Sequence, residues 1–471
     1  MSVTAASIPP AKHGSYPVRK GCTVHPLVDG HESFGRIAQA VEAARHSVWV
    51  TVAFIEREFR FPDGRGSLLD LLDAAARRGL DARVLFWRDP KVEDLVSDSQ
   101  IFSGSPAEWA ALAEREFAGK IRWDALPGFC HHQKSWLIDA YRASETAFVG
   151  GINFDRGSLS LRGHPAKPGE VANPSSLYRE IHDLYSEIRG PATSDVAHNF
   201  VQRWNEASER NRPDGCFPDR ETADDLAWPC ELSPVVGDTP VQISRTIMPG
   251  VYTNTRAAPE AAPYAIEEGE ESVREQVLAA IAGARESIYI ENQIFLSKAL
   301  LGGIDEALER GVRVIAVVPT IPMPELAEYR RRDPKMAAGI FDLLSRVGRR
   351  ERFTLVGLAQ RDNAGNFFNV YVHAKIMLVD DAWATIGSTN FVGRSFKKET
   401  EMNASFWSAK VVRDLREKLF DEHLAGTAKS LMPPAAFDHF AATARANRER
   451  LAKGQDLVGL AHALNPDTYC S

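Results

Sequence analysis

An α/β protein built from two like halves is what the sequence predicts. Three observations predict it. Segments of the same pattern recur at a nearly constant offset, helix-like stretches alternate with apolar strand-like runs, and one eight-residue motif occurs once in each half.

The repeat begins early. Residues 44–50, Ala-Arg-His-Ser-Val-Trp-Val, are matched by residues 284–290, Ala-Arg-Glu-Ser-Ile-Tyr-Ile, an offset of 240 (284 − 44). Each segment follows a helix-like stretch with apolar residues three and four apart: Ile37, Val41 and Ala44 in one, Val277, Ile281 and Ala284 in the other. Next, residues 68–78 read as a helix ending at Gly79 and residues 82–87 as a buried strand. Residues 304–310, Gly311 and residues 312–318 repeat that unit. Glycine just past a helix suits a left-handed C-cap. Strand, helix, strand units imply parallel pairing through crossover helices. Chance likeness of common βαβ patterns is the alternative, and several segments in register count against it.

The division falls after Asn205, in an irregular stretch (206–240) rich in Pro, Asp, Arg and Asn. We place the halves at 1–215 and 216–471, the second including the linker. Residues 245–265 are irregular and read as an active-site loop. Near the C-terminus, Phe437, Phe440, Ala441 and Ala444 share one helix face, which predicts a C-terminal wrap or lid.

The 471 residues, 44% of them hydrophobic and 25% charged, supply enough apolar material for two large cores. A net charge of -7 argues against a nucleic-acid partner, which asks for a basic surface. Five scattered cysteines (Cys22, Cys130, Cys216, Cys230 and Cys470) without a CxxC pair fit reduced thiols, the alternative being a Cys216–Cys230 bridge in an exported protein. Neither a leader-like N-terminus nor an apolar run of membrane-spanning length is present. The expectation is a cytoplasmic, monomeric protein that meets any membrane peripherally.

The motif is HxKxxxxD. It runs from His132 through Lys134 to Asp139, and from His373 through Lys375 to Asp380, an offset of 241 (373 − 132). Each copy leads into a strand that ends in small residues and an asparagine: Gly150, Gly151 and Asn153, then Gly387, Ser388 and Asn390. Residues two apart on a strand share a face, so each His projects with its Lys. Brought together about a pseudo-twofold axis, the halves offer two His, two Lys and two Asn to one cavity. Lysine and amide donors suit the non-bridging oxygens of a phosphate and charge developing in a pentacoordinate transition state. One histidine can attack phosphorus while the other protonates the departing oxygen. No cofactor or metal is required, and no carboxylate-and-histidine metal cluster lies near these segments in sequence.

The doubled motif resembles the phospholipase D superfamily, over roughly residues 30–425, including the Ile290, Glu291, Asn292, Gln293 segment. The resemblance implies two duplicated α/β/α sandwich domains with the active site at their interface. It implies His132 as the nucleophile that forms a phosphohistidine, His373 as acid and then base, and phosphate binding by Lys134, Lys375, Asn153 and Asn390. Asp139 and Asp380 complete the catalytic motifs, in a structural more than a direct role. It further implies a carboxylate orienting each histidine. Glu401, 28 residues after His373, fits the downstream acid, and Asp183, shortly before Gly190, fits the counterpart for His132. A carboxylate partner fixes the imidazole tautomer and is expected to raise its pKa. One departure stands out: His132 and Asn153 are 21 residues apart, His373 and Asn390 only 17, which places a short hairpin insertion at 141–145.

Several neighbours have bland readings. Strand alternation turns His131, beside Cys130, away from His132. Arg330, Arg331, Arg332, Arg349 and Arg350 read as a solvated helix face, with anionic headgroups or nucleic acid as the alternative. Trp228, Phe217, Phe367 and Phe368 are open between an acyl-chain entrance and ordinary anchoring.

The function expected is a phosphodiester hydrolase that cleaves glycerophospholipids at a membrane or micelle surface and transfers the phosphatidyl group to alcohols, in the manner of bacterial-type enzymes. Alternatives are a nuclease or soluble phosphodiesterase with the same chemistry and a cardiolipin synthase-like phosphatidyl transferase. A catalytically dead scaffold is disfavoured, since both motifs are intact.

Overall fold

The computed structural model describes residues 8–88, 106–126, 128–166, 180–208, 224–332 and 334–470. The first half runs β1 (Arg19–Val28), α1 (Gly30–Ala43), β2 (Ser47–Val52), α2 (Leu68–Arg77), β3 (Asp81–Trp87), α3 (Pro106–Ala113), β4 (Ile121–Asp124), β5 (Lys134–Ile138), β6 (Thr146–Gly150), β7 (Ile181–His182), β8 (Leu184–Arg189) and α4 (Thr193–Asn205). The second runs β9 (Thr239–Ile247), β10 (Glu270–Glu271), α5 (Ser272–Gly283), β11 (Ser287–Asn292), β12 (Phe295–Leu296), α6 (Lys298–Glu309), β13 (Arg313–Val317), α7 (Pro324–Arg332), α8 (Pro334–Gly348), β14 (Phe353–Arg361), β15 (Phe367–Val372), β16 (Lys375–Val379), β17 (Trp383–Gly387), β18 (Phe391–Val392), α9 (Gly393–Lys397), β19 (Glu401–Trp407), α10 (Ala409–His423), α11 (Ala435–Ala452) and β20 (Ala461–Ala463).

The repeat of the sequence is a repeat of topology. In the first half β4, β3 and β2 pair in parallel, then β5, β6, β8 and β1 follow antiparallel. In the second, β14, β13 and β11 are parallel and β16, β17, β19 and β9 follow antiparallel. The start of β1 also pairs with β9, which joins the two sheets. Parallel strands buried on both faces read as continuous apolar runs, and β2 and β13 do so. Helices α2 and α6 end where expected: Gly79 and Gly311 take φ of +80° and +91°, which a side chain resists.

Two expectations are corrected. The stretch 245–265 starts as the end of β9, and its irregular part packs on α4, where His198 and Gln202 donate to the carbonyls of Arg256 and Asn254. The C-terminal segment is no lid: β20 extends the second sheet beside β14, and α11 buries Phe437, Phe440 and Ala444. Ala441 is only half-buried. The boundary at 215/216, Cys216 and Phe217 lie outside the described residues; Cys22, Cys130, Cys230 and Cys470 are free thiols.

Candidate active site

Both motif lysines open central strands, β5 and β16, held on either side by antiparallel ladders. The histidines precede them by two residues, at the strand mouths. His132 and His373 are each 6% exposed, whereas Lys134 and Lys375 are 1% and 0% exposed. A ligand therefore meets imidazole edges first, with two ammonium groups beneath. Lys134 Nζ donates to the His132 carbonyl at 2.9 Å, and Lys375 Nζ donates to that of His373.

Each histidine is held by a carboxylate, and the pairs cross between the halves. His132 Nδ1 lies 3.0 Å from Glu401 Oε2, and His373 Nδ1 lies 2.6 Å from Asp183 Oδ2. The sequence reading paired Glu401 with His373 and Asp183 with His132, and both pairings are corrected. Backbone pairing explains the crossing. His131 bridges Thr400, and the His132 N–H donates to the Thr400 carbonyl at 2.9 Å. In the other half Val372 pairs with His182, and the His373 N–H donates to the His182 carbonyl at 2.9 Å. The residue after each pairing partner is the acid, so a strand from one half delivers its carboxylate to the imidazole of the other.

The small residues behave as their size requires. A Cβ on Gly151 would stand 2.5 Å from Asp183 Oδ1. Its counterpart Ser388 instead donates its hydroxyl to Glu401 Oε2 at 2.5 Å. Asn153 Nδ2 reaches within 3.5 Å of His373 Nε2. Asn153 and Asn390 share one peculiarity: each has a buried amide oxygen without a hydrogen-bond partner. The spacing difference of the two motifs is absorbed in the turns: residues 139–145 join β5 to β6, residues 380–382 join β16 to β17.

Burial dominates the electrostatics. It pushes Glu401 up to about 8 against the pull of Lys134, and Asp183 up to about 7 against that of Lys375. It also draws Lys134 down to about 8 and Lys375 to about 7. Both imidazoles lie well below their ordinary value, through burial first and the neighbouring lysines second. The expected rise from a carboxylate partner is corrected: two ammonium groups and a dry site outweigh it. His132 is held neutral, as attack on phosphorus requires.

Asp139 and Asp380 stand apart. Both take φ +54° at the far ends of the motif strands, roughly 20 Å of extended chain from the histidines at about 3.3 Å per residue. Asp139 accepts the N–H groups of Arg45 and His46 at 2.9 and 2.7 Å; Asp380 accepts those of Arg285, Glu286 and Ser287, each at 2.8 Å. Their grouping with the catalytic set is corrected. They tie the end of each motif strand to the start of the neighbouring strand.

His131 is fully buried, 2.9 Å from both Asp124 and Thr400 Oγ1. The basic clusters are largely paired: Arg330 caps the Tyr469 carbonyl, Arg332 meets Glu328, Arg349 Asp467, and Arg350 Asp305 and Glu309. Trp228 packs on His198, and Arg361 covers Phe367, which are anchoring contacts.

Sequence reasoning missed two aromatic flanks. Phe54 lies edge-on to His132 at 6.0 Å, with Lys134 Nζ 5.6 Å from its centroid. Tyr371 lies 6.4 Å from His373 and accepts from Gln293 at 3.1 Å. Tyr371 had a signal, since it sits two residues before His373 on one strand face; Phe54 had only its place after β2. Also missed is a buried set near Asp183, comprising Asp29, His164, His182 and Glu422, whose ligand atoms converge within 4.8 Å. It corrects the view that no carboxylate-and-histidine cluster lies near the motifs; its members are too scattered in sequence to be seen there.

Comparison with known proteins agrees with this geometry. Residues 37–301 match the family model described as phospholipase D, and residues 277–424 match that described as cardiolipin synthase, PLD-like domain. The chain is 26% identical to phospholipase D A of Dictyostelium discoideum, over 89% of this chain and 37% of that one. It is 24% identical to phospholipase D alpha 1 of Brassica oleracea var. capitata, over 83% and 65%. It thus spans between about a third and two thirds of these curated relatives. Among solved structures, phosphatidylserine synthase of Haemophilus influenzae Rd KW20 shares the fold, with a TM-score of 0.55 and 12% identity over 94% of this chain and 98% of that one. No helix among the described residues is long and apolar enough to cross a membrane.

Proposed function

The chain belongs to the phospholipase D superfamily, and from that premise we propose that it cleaves glycerophospholipids at the distal phosphoester through a phosphohistidine on His132. The observation that carries the reading is the pair of solvent-edged imidazoles whose Nδ1 atoms are held by buried carboxylates. With Nδ1 engaged, Nε2 is the atom each ring offers to a substrate.

His132, its one ring proton on Nδ1 toward ionised Glu401, attacks phosphorus through Nε2, the phosphorus–oxygen bond to the headgroup breaks, and His373 gives its Nε2 proton to the departing alkoxide while its Nδ1 takes the proton of the Asp183 carboxyl. A water or alcohol then enters, His373 takes its proton, the new oxygen bonds to phosphorus, and the phosphorus–nitrogen bond breaks. Lys134, Lys375, Asn153 and Asn390 donate to the non-bridging oxygens, most strongly where charge gathers in the transition state. Water as acceptor gives phosphatidic acid; an alcohol gives a new phosphodiester.

The match of residues 277–424 to a model described for cardiolipin synthase favours a second reading, in which the acceptor is a lipid hydroxyl. The first half-reaction is then the same. Both readings are tested by mass spectrometry of products from mixed phospholipids with ethanol present, His132→Ala serving as control. Phosphatidic acid and phosphatidylethanol from the wild type alone support hydrolysis and transfer. Cardiolipin from phosphatidylglycerol without phosphatidic acid selects the second reading. No turnover by a folded wild type, together with cleavage of nucleic acid or soluble diesters, overturns both.

A further inference from the structure

Behind Asp183 lies a cluster that the proposed chemistry does not use. Asp29, His164, His182 and Glu422 come from three regions of the chain, and their side chains are buried. His182 Nδ1 is 2.8 Å from Asp29 Oδ1, and His164 Nε2 is 3.4 Å from His182 Nδ1, 3.5 Å from Asp29 Oδ1 and 3.7 Å from Glu422 Oε1. Four ligands about 2.0–2.1 Å from a tetrahedral ion stand roughly 3.3–3.4 Å from one another. These four separations bracket that value, and all four ligand atoms lie within 4.8 Å of one another.

Two further observations point to a ligand. Asp29 Oδ2 and Glu422 Oε2 are buried and lack a hydrogen-bond partner, a state a carboxylate oxygen keeps poorly without a cation. His182 donates its other nitrogen toward Glu291 Oε2 at 2.9 Å, the carboxylate–histidine arrangement that orients a metal-binding imidazole. Glu180 lies 3.7 Å from His164 Nδ1, too far for the same hydrogen bond.

We propose that Asp29, His164, His182 and Glu422 bind one divalent transition-metal ion as a closed structural site. Two imidazoles with two carboxylates favour zinc, or manganese and cobalt, over magnesium and calcium. The two carboxylates balance the ion's charge, and its entry displaces the proton from His182 Nδ1. The site is structural because every ligand is buried. It anchors β7, whose next residue is Asp183 and whose His182 carbonyl accepts the N–H groups of His373 and Ala374 at 2.9 and 3.1 Å. This inference stands apart from the substrate proposed above.

The test is elemental analysis of the full-length protein purified without chelator, followed by thermal unfolding after chelator dialysis and after adding back ZnCl2, MnCl2 or CoCl2. The expected result is about one ion per chain, as one such site holds, a lower Tm for the stripped protein, and recovery with metal. The cobalt form should show the visible absorption of a tetrahedral nitrogen- and oxygen-ligated ion. Glu422→Gln and His164→Ala should lose the ion, and Glu291→Gln should bind it roughly tenfold more weakly. A metal-free wild type whose Tm ignores all three salts overturns the proposal. So does an ion retained in both ligand variants. Should the variants fail to fold, the wild-type metal content, Tm and cobalt spectrum decide alone.

Discussion

Glu401 holds His132, 269 residues away, with 3.0 Å between Oε2 and Nδ1. The acid and the imidazole belong to opposite halves, and Asp183 with His373 repeats the arrangement. Neither half can therefore orient its own histidine. If His132 is the nucleophile and His373 the acid, the acids divide in the same crossed way. Asp183→Asn should slow headgroup departure, on the order of 10²–10⁴-fold for a choline-type ester, and much less for a p-nitrophenyl ester that needs no protonation. Glu401→Gln should slow both substrates alike. Equal leaving-group sensitivity in the two variants would contradict the crossed assignment.

The histidines themselves separate in the same assay. His132→Ala should abolish turnover of both esters. His373→Ala should retain a burst of p-nitrophenol, because the phosphohistidine forms while its breakdown lacks a base. A trapped phosphoenzyme in His373→Ala, absent from His132→Ala, is the readout. Its appearance in the reverse order would exchange the two roles.

Gly151 has no room for a side chain. A Cβ there meets Asp183 Oδ1 at 2.5 Å, so the carboxylate must move. Gly151→Ser should lower kcat on the order of 10²-fold, as a displaced positioning group does. The reverse change, Ser388→Gly, removes a hydroxyl that donates to Glu401 and opens no clash, so its loss should be smaller. Similar losses in both would show that the clash is relieved at no cost.

Much of this was legible in the sequence. The duplicated strands, the C-capping glycines and both HxKxxxxD segments follow from periodicity and spacing, because their causes are local. The partner of each imidazole was not legible. Asp183 and Glu401 were found by their residue type and offset, yet which histidine each serves depends on β7 lying against β15 and on residue 400 lying against residue 131, pairings between halves. Burial was equally hidden: the strings His-Gln-Lys and His-Ala-Lys look polar, and only the assembled sheets reveal that burial first, and the neighbouring lysines second, depress both imidazoles. The Asp29, His164, His182 and Glu422 cluster has no sequence signature, since its members share neither an element nor a spacing.

Asp139 and Asp380 provide a contrast between motif and mechanism. Each fastens backbone N–H groups at the far end of its strand, and burial, which raises the Asp139 pKa, is outweighed by the N–H bonds from Arg45 and His46 that hold it below the ordinary value. Asp380→Asn should cost about 1–3 kcal/mol of stability through unpaired N–H groups, read by urea unfolding. Turnover per folded molecule should stay within a few-fold of wild type. A large fall in kcat with unchanged stability would return Asp380 to the reaction itself.

Glu401 also sets a pH dependence of stability, and its sign is fixed. Burial raises the folded-state pKa from 4.5 to about 8. Between those values the unfolded chain has released the proton and the folded chain keeps it. The folded state then binds more protons, so its stability falls as pH rises, by up to about 1.4 kcal/mol per pH unit for one proton. Glu401→Gln lacks this titration. The Tm of the wild type relative to Glu401→Gln should therefore decline steadily from about pH 5 to pH 8 and level off above. Lys134, drawn down to about 8 from 10.5, titrates differently in the two states only above that window. Lys375, drawn down to about 7 by burial and raised in part by Glu401, overlaps the upper end of the window, so the decline from about pH 5 to pH 7 is the part that reads Glu401. A Tm difference that stayed constant across pH 5–8 would mean that Glu401 is ionised in the folded protein, with His132 carrying the compensating proton.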